Sequence, residues 1–278
     1  MTGTETLCAF LGRNRDVIHV RLSDVRGSSP REAGAEIFVS IAECHGTVGG
    51  GQLEYMVIDA ARAMLRSAEV LRAMDIPLGP EIGQCCGGRV VVDLSYMEQA
   101  DRHRAREQDA QQTAALPHVY VMGAGHVGRA LAALLAHLPV RAIVVDSRGE
   151  ELARCPDAVE TRLSALPESD IDRAPAGSAF VVLTHDHALD FLLASQALAR
   201  GDAAYVGMIG SATKRVRFRR WCRDHCDGQS TQALVCPIGA GGSRDKRPGV
   251  IAALVAAEVM TALTTPARER AKPLHLTE

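Results

Sequence analysis

Between residues 53 and 68 the apolar side chains fall at Leu53, Met56, Val57, Ala60, Ala61, Met64, Leu65 and Ala68. This three-four spacing buries one face of a helix. Around it the pattern shortens into strand-like runs. Val17 to Leu22 and Glu36 to Ser40 predict two strands flanking the turn-rich stretch GSSPREAGA, a hairpin, and RVVVDL at 89–94 predicts another strand. Residues 1–96 therefore read as a small α+β domain. The stretch MEQADRHRAREQDAQQTAA is charge-dense and poor in core-forming side chains, so residues 97–116 read as a partly helical linker. From 117 to 264 the pattern changes again. Continuous apolar runs at 118–122, 142–146, 179–184 and 203–207 alternate with helical stretches at 125–137 and 189–200. Strands that are apolar on both sides and separated by helices call for a parallel sheet covered on both faces. A last helix opens at Pro248, a residue suited to the first helical turn, and runs through GVIAALVAAEVM. Residues 265–278 read as a tail. The fold class is α/β: a small N-terminal α+β domain followed by a Rossmann-like, doubly wound parallel-sheet domain.

Composition narrows the function classes. In 278 residues, 31 basic against 33 acidic side chains leave a net charge of -2, which favours neither nucleic acid nor a membrane surface as partner. Aromatic content of 4% offers no stacking platform for single-stranded bases. The first residues, MTGTETLCAFLGRNRD, have no basic n-region, and no apolar stretch has transmembrane length, so a cytoplasmic protein is expected. Eight cysteines in such a chain suggest thiols or metal ligands more than a disulfide framework. Cys222, His225 and Cys226 share one helix face by spacing, but they match no strong zinc pattern and read as buried or incidental.

Chemistry concentrates in glycine-rich turns. Gly123-Ala124-Gly125-His126-Val127-Gly128 stands between a strand and a helix, the context that the G-x-G-x-x-G fingerprint requires. Asp146 ends the next strand, where an acid can accept a hydrogen bond from a ribose. The alternative is that these glycines only pack the helix. The polar loops Thr184-His185-Asp186-His187 with Asp190, and Gly207 to Ser211 followed by Lys214, Arg215 and Arg217, face the same crevice and could receive an anion. In the first domain Gly49, Gly50, Gly51 and Gln52 open the helix as a candidate phosphate nest. Cys85 and Cys86, followed by Gly87 and Gly88, form a vicinal dithiol suited to persulfide chemistry or a thiophilic metal, unless it is simply a buried turn.

Taken in order, GSSPREAGA (27–35), GTVGGGQLE (46–54), GQCCGGRVVV (83–92), VMGAGHVG (121–128), VVD (144–146), THDHALD (184–190) and YVGMIGSATKRVRF (205–218) resemble the XdhC/CoxI family of xanthine dehydrogenase accessory proteins. The resemblance implies a homodimeric chaperone without turnover of its own. It would bind the molybdenum cofactor, as molybdopterin or a dinucleotide form, hold it while a cysteine desulfurase supplies a sulfido ligand, and insert it into apo xanthine dehydrogenase or a related molybdenum hydroxylase. Gly49 to Gln52 and Cys85 to Gly88 would hold the metal-sulfur end, with Cys85 and Cys86 as the molybdenum or persulfide contacts. Gly123, Gly125, His126, Gly128 and Asp146 would line a second surface. The chain departs from the family pattern after Pro237-Ile238-Gly239, where the glycines and basic residues of 240–247 replace the usual acidic turn. The rival expectation is an NAD(P)-dependent oxidoreductase, with His185, Asp186 or His187 as proton donor, or a nucleotide sensor that only binds.

Overall fold

The computed structural model describes residues 6–80, 87–241, 243 and 245–265. The chain divides into two compact units between Ala114 and Ala115. In the first, α1 (Leu7–Arg13) leads into β1 (Ile18–Arg26), β2 (Glu36–Val39), β3 (Cys44–Gly46), α2 (Gly51–Ser67), β4 (Leu71–Pro77), β5 (Arg89–Tyr96) and α3 (Gln99–Ala114). The strands form an antiparallel sheet in the order β3-β2-β1-β5-β4. Leu53, Val57, Ala61 and Met64 of α2, the face read from the periodicity, bury against Val20, Ile37, Val92 and Leu94 of the sheet. Each of these side chains larger than Ala contributes about 1.5–3 kcal/mol relative to its exposed state.

Two elements here escaped the pattern. β4 occupies the sheet edge; Met74 and Ile76 alternate into the core, but Leu71 on the other face is 68% exposed, so apolar residues fall on both faces and hide the period, and Pro77 at its end costs no central ladder bond. The stretch read as a linker is the continuous helix α3, with no buried residue of its own. Ala105 packs against the cluster that includes Leu7, Phe10 and Leu11 of α1, and Arg102 adds a polar fastening. The Arg102 guanidinium donates to the carbonyls of Leu11, Asn14 (2.7 Å) and Arg15 (2.9 Å), satisfying carbonyls at and just past the end of α1 that its helix leaves open.

The second unit runs β6 (His118–Met122), α4 (His126–Leu135), β7 (Arg141–Asp146), α5 (Gly149–Leu152), β8 (Glu160–Leu163), α6 (Glu168–Asp172), β9 (Ala179–Val182), α7 (His187–Ala199), β10 (Tyr205–Met208), α8 (Ala212–His225), β11 (Leu234–Val235) and α9 (Pro248–Thr264). All pairings are parallel, in the order β11-β10-β9-β6-β7-β8. Alternation along each strand serves two cores. Val119 and Val121 join α4 and α9 on one face, while Tyr120 and Met122 join α7 and α8 on the other. The chain winds from β6 out to β8 and returns to begin β9 on the opposite side of β6. The strand order thus reverses between β6 and β9, where open α/β sheets place their ligands. Among the described residues, no helix is long and apolar enough to cross a membrane.

Candidate functional site

At the reversal point the fingerprint glycines divide into two kinds. Gly123 sits at φ +126°, and a Cβ there would lie 2.6 Å from the Leu183 carbonyl oxygen. A Cβ on Gly128 would lie 2.0 Å from the Gly123 oxygen, so this glycine lets α4 close onto the loop. Gly125 is different: its φ of -67° suits any residue, and nothing stands within 4 Å of a Cβ built on it. The fold does not require glycine there, and the space is left open beside the exposed His126. The loop itself is held at the Ala124 peptide. Its N–H donates to Asp146 Oδ2 at 2.7 Å and its carbonyl accepts from Arg129 at 2.6 Å, with Arg129 also paired to Glu151.

Asp146 has a role its position did not reveal. Oδ1 accepts from the Arg148 backbone N–H at 2.9 Å and from Arg148 Nε at 3.0 Å, while Oδ2 accepts from Ala124 and from Arg148 Nη2 at 2.8 Å. Four donors fill the roughly four lone-pair sites of a carboxylate. A ribose hydroxyl could use Asp146 only by displacing Arg148. Burial opposes ionisation, but the Arg148 and Ala124 hydrogen bonds outweigh it, holding the carboxyl below its ordinary range.

Two adjoining cavities continue the crevice and share Thr184 and His185. One, of about 210 Å³, runs past Gly123, Asp146 and Leu193. The other, of about 520 Å³, lies between the loops after β9 and β10 and is lined by His185, His187, Ser211, Lys214 and Arg217. His185 and His187 are exposed at its wall, whereas Asp186 caps α7 by accepting from the Ala188 N–H at 2.7 Å. Beneath them is a pair that spacing alone does not reveal. Asp190, 1% exposed, accepts from the N–H and hydroxyl of Thr184 at 2.9 and 2.7 Å, and Lys214 Nζ donates to its second oxygen. Lys214 crosses Gly210, where a Cβ would meet its side chain at 2.7 Å. The divergent turn is anchored by Glu258, which accepts from Tyr205 Oη at 2.8 Å and from the Gly239 N–H at 3.0 Å. On the outer helix, burial and then Cys226 push the Cys222 thiol up to about 11, which keeps it protonated in the core.

In the first unit the loops of three motifs converge. A Cβ on Gly27 would meet Gly88 at 3.2 Å, one on Gly88 would meet the Ser28 oxygen at 2.1 Å, and one on Gly49 would meet Pro30 at 2.9 Å. Gly50 (φ +74°) and Gly87 have open space where a Cβ would stand, and the Ser29 hydroxyl is buried with no hydrogen-bond partner. The nest expected to receive a phosphate already holds an anion from the chain. Glu54 Oε2 accepts from Val48 N–H at 3.1 Å, Gly50 N–H at 3.2 Å and the Thr47 hydroxyl. Gly51 and the exposed Gln52 begin α2, whose first turn no other side chain caps. Cys85 and Cys86 lie outside the described residues.

A family model described as the XdhC Rossmann domain matches residues 119–259, just over half of the chain. The chain belongs to the XdhC family. A second model, of the XdhC and CoxI family, matches residues 10–73 and so includes the loops at 27–35 and 46–51 of this XdhC-family protein. A protein described as uncharacterized protein YqeB, from Escherichia coli (strain K12), is 30% identical over 135 residues. That match takes in 48% of this chain and 22% of the relative, so the chain spans about a fifth of its length. A crystal structure described as a xanthine dehydrogenase from Bacillus halodurans has a TM-score of 0.79, covering 97% of this chain and 98% of that one. At 16% identity, the likeness is one of fold.

Proposed function

We propose that this XdhC-family chain is an accessory protein that holds the molybdenum cofactor for sulfuration and delivers it to apo xanthine dehydrogenase or a related molybdenum hydroxylase. The observation that carries the reading is the convergence of loops 27–35 and 46–51 with Gly87 and Gly88, drawn from three family motifs, around the orphaned Ser29 hydroxyl. A buried hydroxyl without a partner costs about 1–3 kcal/mol unless a ligand completes it. The open positions beside Gly50 and Gly87 leave backbone accessible at the same end of the sheet. Ser29, Gln52, Gly87 and Gly88 would hold the cofactor, with Cys85 and Cys86 supplying soft sulfur. When bound, the cofactor would supply the molybdenum centre as the acceptor of terminal sulfur. The chain contributes binding and orientation, with a cysteine desulfurase and the receiving hydroxylase as partners and a homodimer as the working form.

The test is elemental analysis for molybdenum and fluorescence of oxidised pterin on protein purified from cofactor-producing cells. Wild type is expected to carry both, and Cys85→Ala with Cys86→Ala to lose them while keeping its circular dichroism. Wild type without either would overturn the reading.

The strand order and the unfilled space at Gly125 favour a second reading for the other unit, in which its crevice binds a nucleotide such as NAD(P). Consumption of reduced nicotinamide by purified protein would make that nucleotide a substrate of an oxidoreductase. Binding without consumption would make it a structural or sensory ligand.

A further inference from the structure

α1 and α3 enclose a cavity of about 480 Å³ that uses no residue of either glycine-rich site. Arg13, Arg15, Arg102, His103 and Arg106 line it over a floor that includes Leu11, and no carboxylate belongs to its lining. Of the nearby acids, Glu43 pairs with the lining Arg13 at 3.2 Å and Glu107 with the lining His103 at 3.2 Å, while Asp16 accepts from Tyr96 Oη at 2.7 Å, which leaves Arg15, Arg102 and Arg106 as the cations without a carboxylate partner among the described residues. Arg102 spends its donors on backbone carbonyls, which carry no net charge to balance it. Among the described residues, neither Arg15 nor Arg106 has a hydrogen bond or ion pair from its guanidinium to a carboxylate, and Arg106 Nε is buried with no partner. Burial, followed by the charge of Arg106, lowers the Arg102 pKa against the raising influence of Tyr96 and Asp16.

We propose that this cavity is a binding site for a phosphate-bearing small molecule with at least two phosphoryl groups. Guanidinium groups present planar donor forks matched to phosphate oxygens. A single phosphate would leave most of the volume empty, whereas the cavity lies within the range of small-molecule pockets. An anion here completes the Arg106 Nε and relieves the repulsion between Arg102 and Arg106. The α3 side of the cavity lies outside both family-model matches, so the site belongs to this chain's connecting helix.

The test is calorimetric titration of the full chain with sodium pyrophosphate at low ionic strength. Wild type is expected to bind one equivalent, more weakly as salt is added. Arg15→Ala with Arg106→Ala is expected to weaken binding about 100-fold, at about tenfold per charged hydrogen bond lost. Melting without pyrophosphate should be unchanged, because among the described residues neither side chain makes a hydrogen bond or ion pair within the fold. Should the double variant misfold, Arg15→Ala alone, at an exposed position, should still show the tenfold loss. No binding by wild type, equal binding by a folded variant, or loss of binding in Gly125→Val, which would place the anion in the other unit, would each overturn the proposal.

Discussion

Individual residues in the fingerprint do unequal work. Gly128→Ala places a methyl 2.0 Å from the Gly123 oxygen and should cost about 1–3 kcal/mol by overpacking, read as a lower melting temperature. Gly125→Val should melt as wild type does, yet lose affinity for any nucleotide that enters the crevice, checked by equilibrium binding of a fluorescent dinucleotide. Asp146 gives the unit a pH signature. Its carboxyl lies below the ordinary 3.8, so its stabilisation is complete above pH 3.8 and is lost as pH falls through the lower folded value. Asp146→Asn should cost about 1–3 kcal/mol near neutral pH, with a flatter acid limb in a plot of melting temperature against pH.

Between elements, one buried pair joins α7 to α8. Asp190 and Lys214 are both nearly excluded from water, and Thr184 supplies the remaining bonds to the carboxylate. Removing one member leaves an uncompensated buried charge. Lys214→Met should therefore cost about 3–5 kcal/mol in chemical denaturation, while Asp190→Leu with Lys214→Met should recover most of the loss. If the single variant is as stable as wild type, the pair does not hold the wall of the larger cavity. α3 illustrates the converse. Its sequence has no apolar stripe, so beyond the small contact of Ala105 with the α1 cluster its attachment depends on the charge and reach of Arg102.

At the scale of the whole molecule, each hydrophobic core draws its residues from one unit only, which makes the units separable in principle. A fragment spanning residues 115–278 should fold alone with a cooperative melt, and a fragment without one would show that its stability depends on the first unit. The sequence by itself determined the two-part organisation, the helix read at 53–68 and found at 51–67, the strands read at 118–122 and 142–146 and the placement of the glycine fingerprint. These follow from periodicity and backbone geometry, which are local properties. It also contained the motifs that mark the XdhC family, since those are short runs read directly. The tertiary structure alone decided which donors and acceptors are already spent. Glu54 fills the nest at Val48 and Gly50, Arg148 saturates Asp146, and Lys214 meets Asp190 across 24 positions of chain. The first two depend on the conformation each loop adopts within a few residues, and the third on where folding brings two elements together; no spacing along the chain encodes either.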